Sequence, residues 1–377
     1  MRRTIVCVVA LATALLALPS AASATWSRLA PIDPSGALSS QLGGVACTSS
    51  TNCEAVGSSD GAALIERWNG TSWSQQTAAT PPAGTIGSSL AGVGCSSSSA
   101  CTAVGSYDDG SSTWALAERW NGTSWSLQSI PRPTGAITSQ LSGVACVTST
   151  FCLAVGSYVD GTGQLPLAAI WNGTSWSLTT VPIVSGSGGT ALSAVTCAST
   201  TACTVVGSYI SSGTPLPTAA SYNGSRWTLQ SVPTPRNAAA TFLSGLSCTS
   251  SSACTTVGYA TDSLGNVFAV AERWNGTSWS EQTLAAAPSG SLGSALASVS
   301  CTSTTFCNAV GYYIDRNNIQ RTYSQTWTPW TVAATVDPST FDAASLSGIA
   351  CTSSTACVSV GYFSDVNGLH TWGNRWQ

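Results

Sequence analysis

Beyond the first two dozen residues, apolar positions fall in short runs broken by turn residues, and none of the runs repeats at helix period. Residues 90–128 show the order. A small apolar run, LAGVGC, spans 90–95, and CTAVGSY spans 101–107. A third run ends in ERW at 118–120, and TSWSLQ fills 123–128. Between them stand Ser96 to Ser99, Asp108-Asp109-Gly110 and Asn121-Gly122, all turn formers. Such runs, rich in β-branched and aromatic residues, predict strands. We call them a, b, c and d. A linker holding Pro131 and Pro133 leads to the next run.

The string ERWNGTSW at 118–125 recurs nearly unchanged at 66–73 and 272–279, with IWNGTSW at 170–176 and SYNGSRW at 221–227. Asn-Gly favours a two-residue type I′ turn. That turn pairs Trp120 with Thr123, Arg119 with Ser124 and Glu118 with Trp125, and leaves Trp120 and Trp125 diagonal on one face. The whole a–d pattern repeats. Cys47, Cys95, Cys146, Cys197, Cys248, Cys301 and Cys351 follow one another at intervals of 48, 51, 51, 51, 53 and 50 residues, which defines seven units. Four antiparallel strands in each fifty-residue unit predict an all-β chain, a seven-bladed β-propeller. Strands a and b carry small apolar residues on both faces, as a blade buried between two neighbours requires, and the tryptophans of c and d suit the wider gap at the rim.

Blades begin near residues 42, 90, 141, 192, 243, 296 and 346, within a single domain at 25–377. The last unit ends at Arg375-Trp376-Gln377 with a strand c but no d, while Thr25-Trp26-Ser27 matches Ser72-Trp73-Ser74. Residues 25–29 are therefore expected to complete the last blade, which removes two open edges. Two units depart from the pattern: Tyr222 replaces the strand c Trp, and Trp327-Thr328-Pro329-Trp330 replaces the Asn-Gly turn.

Only 7% of residues are charged, there is no lysine, and the net charge is −3. No field is available to hold nucleic acid or an anionic membrane. Arg2 and Arg3, the apolar residues 4–18 and Ala22-Ser23-Ala24 form a secretory signal at 1–24. No other segment has the length to cross a bilayer. A secreted, extracellular chain with no membrane insertion after cleavage is expected. Cys7 leaves with the signal, and the other fourteen cysteines pair at i and i+6: Cys47/Cys53, Cys95/Cys101, Cys146/Cys152, Cys197/Cys203, Cys248/Cys254, Cys301/Cys307 and Cys351/Cys357. An even count in an exported chain reads as disulfides. Metal binding does not fit, since there is one His and no close C-x-x-C.

AVGSYDDG at 103–110, followed by ERWNGTSW, resembles the kelch repeat, in about half of each unit. The chain differs in having one glycine, Gly105, before Ser106, in Trp120 where kelch usually has Tyr, and in its paired cysteines. The resemblance implies a propeller used as a binding scaffold or, less often, as an enzyme. Copper-radical galactose oxidases of that kind need two His, and only His370 is present. Zinc hydrolysis and a His-based triad meet the same obstacle. Sialidase-type propellers carry S-x-D-x-G-x-T-W boxes, and SYDDGSSTW at 106–114 is one residue too long.

Asp60, Asp109, Asp160, Asp262, Asp315 and Asp365 all fall in b–c turns. Such a ring could take Ca²⁺ or ligand hydroxyls, or simply make the turns. The Asn-Gly-Thr sequons read as turn chemistry, and pairs such as Glu66-Arg67 as solvated or paired charges on the outer strands. Units 6 and 7 concentrate Asp315, Arg316, Asn317, Asn318, Arg321, Asp365, Asn367 and His370 near Tyr313 and Phe363, and Trp114 is an unusual aromatic in unit 2. The expected function is a monomeric, non-catalytic binding or scaffold module without a cofactor. It would recognise an extracellular glycan or protein through the b–c turn face, with Asp315, Arg316, Arg321, Asp365, His370 and Trp114 as ligand contacts. The competing expectation is a glycan-active hydrolase or lyase using carboxylates of that face.

Overall fold

The computed structural model describes residues 24–327 and 329–377, so the expected signal, save Ala24, lies outside the described residues. The described chain is built of strands, without a helix. Unit 2 sets the pattern, with strand a at Gly87–Ser97, b at Ala100–Asp108, c at Thr113–Trp120 and d at Trp125–Gln128, each antiparallel to the next. Five sheets have this four-stranded form. The remaining eight-stranded sheet is two such sets joined by one parallel pair, Gln320 with Ala343. Among the described residues no helix is long and apolar enough to cross a membrane.

The last set takes its fourth strand from the other end of the chain. Trp26–Arg28 pairs with Gly368–Trp376, placing Trp26 opposite Trp376. Their rings are 5.5 Å apart. Thr25 and Gln377 exchange both backbone hydrogen bonds, and the Trp26 indole donates to Ser324 of the preceding set at 2.8 Å. The a strands of all seven sequence units line one axial channel of about 160 Å³, walled by Gly, Ala, Ser and Val with Leu246 and Ile349, and with no charged side chain.

One row of residues crosses every sheet. In unit 2 it runs Cys95, Cys101, Trp120, Trp125, each directly opposite the next. Cross-strand neighbours on one face lie close enough to bond or stack. The cysteines form a disulfide with their Cα atoms 4.0 Å apart, and the two indoles lie 5.7 Å apart. Tyr222 takes the third place in unit 4, and Trp26 takes the fourth in unit 7.

All seven expected cysteine pairs are disulfides. The two sulfurs of a pair do not share one environment. The strand a cysteines are partly exposed, whereas their strand b partners, Cys53, Cys101, Cys152, Cys203, Cys254, Cys307 and Cys357, are buried. Each buried partner packs in the apolar core between neighbouring sheets, as Cys53 does with Leu42 and Trp68, and Cys307 with Leu296 and Tyr323. Loops this short give about 2 kcal/mol per bridge in the chain-entropy account.

The row corrects the expected hairpin. Trp120 faces Trp125, not Thr123, and Arg119 faces Ser126. The loop is therefore Asn-Gly-Thr-Ser rather than Asn-Gly alone. Only Gly122 has positive φ, whereas a type I′ turn needs it at both positions. Asn121 acts through its side chain: Oδ1 accepts from the backbone N–H of Thr123 and of Ser124, both at 2.9 Å. This Asx cap supplies the turn, and the longer loop brings the indoles face to face.

The glycine of AVGSY has a steric cause. Strand a shifts register between Leu90 and Gly92. The shift presses the Ser89 carbonyl oxygen onto Gly105, where a Cβ would overlap it. Gly57, Gly156, Gly207, Gly258, Gly311 and Gly361 meet the same obstacle.

Neighbouring sheets share their cores. Val104 and Ala117 of unit 2 pack with Leu141, Val144 and Trp171 of unit 3. Arginines reinforce these seams. Arg119 stacks 4.8 Å over Trp171 of the next unit and donates to the Ser149 carbonyl at 2.7 Å. Arg273 does the same with Trp327 and Thr304.

The glutamate before that arginine is not solvated, contrary to the expectation from its charge. Glu66, Glu118 and Glu272 are fully buried. Glu66 accepts from the Ile32 N–H at 3.0 Å, and Glu118 from the Ala79 N–H at 2.7 Å. Gln325 and Asn374, at the same repeat position, take both backbone groups of Ala285 and of Val336. Each linker partner stands six residues after a strand d tryptophan. Pro131 and Pro182 occupy that place in two linkers, and the facing strand c positions there hold Ala169 and Ala220. Proline has no N–H to give, so no acceptor is needed. Glu272 breaks the rule: its linker place is Pro233, and neither carboxylate oxygen has a partner among the described residues.

Candidate functional site

Aspartate is confined to one end of the sheets, whereas arginine stands at both. All ten aspartates stand in b–c turns or linkers. These segments form one face, tied by bonds such as Ile86 N–H to the Asp108 carbonyl and Asp342 N–H to the Ser364 carbonyl. Arg67, Arg119, Arg226, Arg273 and Arg375 sit at the opposite ends, beside the c–d loops or the C-terminus.

The acidic ring is occupied with its own turns. Asp60 accepts from the N–H of Leu38 and Ser39, Asp160 from Thr162, and Asp262 from Leu264 and Asn266. Asp109 accepts from Ser111, Ser112 and the Trp114 indole. Among the described residues, no three His, Cys, Asp or Glu side chains gather as a metal set.

The six expected ligand contacts form two bonded pairs, Asp315 with Arg321 and Asp365 with His370, and leave Arg316 and Trp114 apart from them. Asp315 accepts from the N–H of Asn317 and Ile319 and from Arg321 Nε at 2.7 Å. Arg321 also reaches Asp337 at 3.3 Å. His370 lies between Asp33, 3.0 Å from Nδ1, and Asp365, 3.1 Å from Nε2, and stacks on Phe363. Arg316 is exposed and makes no ion pair among the described residues. Trp114 lies in unit 2 with the Arg132 guanidinium 3.5 Å over its ring.

A second spacing relation joins three of these residues. Trp114, Arg321 and His370 each precede the strand c tryptophan of their unit by six, and each touches the residue seven after the strand d tryptophan: Arg132, Asp337 and Asp33. One contact, clasping the linker to the start of strand c, is written as a cation–π pair, a salt bridge and a His–carboxylate pair. The spacing signal was in the sequence, but it emerges only when linkers are aligned on the strand d tryptophan.

Acidity follows the same division. Hydrogen bonds from Ser111 and its neighbours hold Asp109 well below the usual carboxylate range, and Arg321 and the turn N–H groups lower Asp315. Asp160, Asp262 and Asp365 are lowered by their turn bonds. Burial instead pushes Glu66 and Glu118 up to about 7 and Glu272 to about 8. Burial also raises Glu54 to about 7, against the pull of Arg67 at 3.3 Å.

A cleft of about 430 Å³ opens beside Trp114, walled by Tyr107, Leu127, Gln128, Ile130, Pro131 and Arg132. The same repeat position in unit 5 forms a cleft of about 500 Å³ with Phe268, Glu281, Gln282 and Ala286. The disulfides belong to neither cleft. The buried strand b cysteines, Cys53, Cys101, Cys152, Cys203, Cys254, Cys307 and Cys357, line neither cleft, and the bridges brace the sheets.

No protein-family model matches the chain. No curated protein matches it. Solved structures do. YCF48 from Cyanidioschyzon merolae superposes with a TM-score of 0.53 at 13% identity, over 94% of this chain and 98% of that one. The GH74 xyloglucanase from Xanthomonas campestris gives 0.56 at 12% identity, over 93% of this chain and 55% of that one. A sialidase from Trypanosoma rangeli gives 0.48 at 10% identity, over 81% of this chain and 56% of that one. At such identities the likeness is one of fold, and with the repeated four-stranded sheets it makes this chain a β-propeller.

Proposed function

We propose that the chain is a secreted, kelch-like, seven-bladed propeller acting as a non-catalytic binding module, with an extracellular glycan or protein as partner on the linker and b–c turn face. Counting the eight-stranded sheet as two blades gives seven, each contributing its strand a to the channel. Seven disulfides fit an oxidising compartment. Arg316 on this face and the cleft at Trp114 are the contacts left over once the linker clasps are made.

The observation that carries the non-catalytic reading is the separation of exposure from acidity. Glycoside cleavage needs a reachable carboxylic acid with a raised pKa beside a second carboxylate. Here the raised acids, Glu54, Glu66, Glu118 and Glu272, are fully buried, and the turn aspartates whose acidity is shifted are lowered. The test pairs a glycan array and an extracellular-matrix protein panel with turnover assays on the same glycans. The reading expects saturable binding, weakened by Arg316→Glu, and no turnover. Turnover abolished by Asp315→Asn or Asp365→Asn would overturn it.

A further inference from the structure

The geometry points to the cleft beside Trp114 as a binding site for an organic carboxylate with an apolar body. This rests on the binding-module reading and gives one of its contacts a ligand class. The volume, about 430 Å³, is that of a small-molecule site. Pro82, Leu116, Leu127, Ile130 and Pro131 form an apolar wall, and Gln128, Ser129 and Ser139 supply polar lining. Arg132 and Tyr107 also line the cleft, while the Gln128 amide nitrogen donates back to Ser126 and Leu127 of its own strand.

Arg132 is held for the task. Its guanidinium lies flat over Trp114 at 3.5 Å and meets the Tyr107 hydroxyl at 3.4 Å. Trp114 is fixed in turn by its indole bond to Asp109. Among the described residues Arg132 has no carboxylate partner, whereas Arg321 at its own clasp has two. A planar, unpaired and exposed guanidinium, positioned by Trp114 and Tyr107 beside an apolar wall, matches a carboxylate, bound bidentately. Leu127, Ile130 and Pro131, which line the cleft with the guanidinium, offer an apolar body a wall to lie against.

The repeat supplies an internal control. The unit 5 cleft stands at the same repeat position with different chemistry, and its arginine, Arg236, is paired with Glu281 at 3.9 Å. Ala286 stands where unit 2 has Arg132, Ala260 where it has Tyr107, and Glu281 where it has Leu127. The scaffold therefore does not require the arginine, and it tolerates a glutamate on the opposite wall.

Calorimetric titration of the mature chain with 4-phenylbutyrate, with its neutral amide 4-phenylbutyramide, and with glucuronate tests the site. Expected is one saturable site for phenylbutyrate, binding about tenfold or more tighter than either of the others. Arg132→Gln should weaken it about tenfold or more, as should Leu127→Glu, which copies the unit 5 wall. Arg236→Gln, in the unit 5 cleft, should leave it unchanged. Equal binding of the amide, or full binding by both Arg132→Gln and Leu127→Glu, overturns the carboxylate claim. Equal binding of glucuronate overturns the apolar body. No binding of any probe, in a protein that still holds a glycan or protein by its turn face, removes this site and leaves the wider reading standing.

Discussion

At the scale of the residue, the buried glutamates of strand c govern how stability responds to substitution and to pH. Glu272 faces the Pro233 place and has no partner among the described residues, so its burial carries a cost. Glu272→Ala, which copies units 3 and 4, should raise stability by about 1–3 kcal/mol at pH 8, measured by urea unfolding. The pH dependence follows from the same groups. Buried Glu66, Glu118 and Glu272 keep their protons up to about 7, 7 and 8, against an ordinary value of 4.5. As pH rises through that interval the unfolded chain loses protons that the folded chain retains, so stability falls. The lowered aspartates act the other way, and their contribution is lost as pH drops below their ordinary value of 3.8. Thermal unfolding should therefore show a maximum between about pH 4 and 5, with a lower midpoint at pH 8.5. A midpoint that climbs steadily to pH 8.5 would contradict the burial of ionisable glutamates. Little of this was legible in the sequence, where the glutamate of ERW read as solvated or paired on the outer strand because charge ordinarily marks solvent. Its buried partner, a backbone N–H of the preceding linker, shows in the sequence only through the match of Pro131 with Ala169 and Pro182 with Ala220. The cysteine pairs were legible because spacing and count suffice. Which sulfur of each pair is buried was not, since Cys53 and its counterparts owe their burial to the neighbouring blade.

At the scale of the element, the strand order was legible from alternation and turn residues, and the register was not. Asn-Gly pointed to a two-residue turn, yet the Asn121 side chain caps a four-residue loop and the tryptophans come face to face. Removing that cap in Asn121→Ala should lower stability by about 1 kcal/mol, whereas Asn121→Asp keeps the acceptor and should be near neutral. Gly105 is a stronger constraint, because the register shift in strand a cannot be read from sequence but forbids any Cβ there. Gly105→Ala should cost about 3 kcal/mol or more, read from the shift in denaturation midpoint. A cost below about 0.5 kcal/mol would mean that strand a can relax away from its shifted register.

At the scale of the whole molecule, repetition made the architecture legible, and it concealed the candidate site. Trp114, Arg321 and His370 stood out as departures from the repeat, yet each makes the same linker clasp in different chemistry. The Trp114–Arg132 clasp also lines a cleft of small-molecule size. The two ends of the chain pair through Trp26 and Trp376, so that the N-terminal strand completes the last four-stranded set and closes the ring. The most direct measurement is calorimetric unfolding of residues 25–377 beside residues 30–377. Losing the buried Trp26 and the strand it anchors removes about 3–5 kcal/mol, which in a chain of this size lowers the melting temperature by about 5 °C or more. Identical melting of the two proteins would contradict closure of the ring by the N-terminal strand.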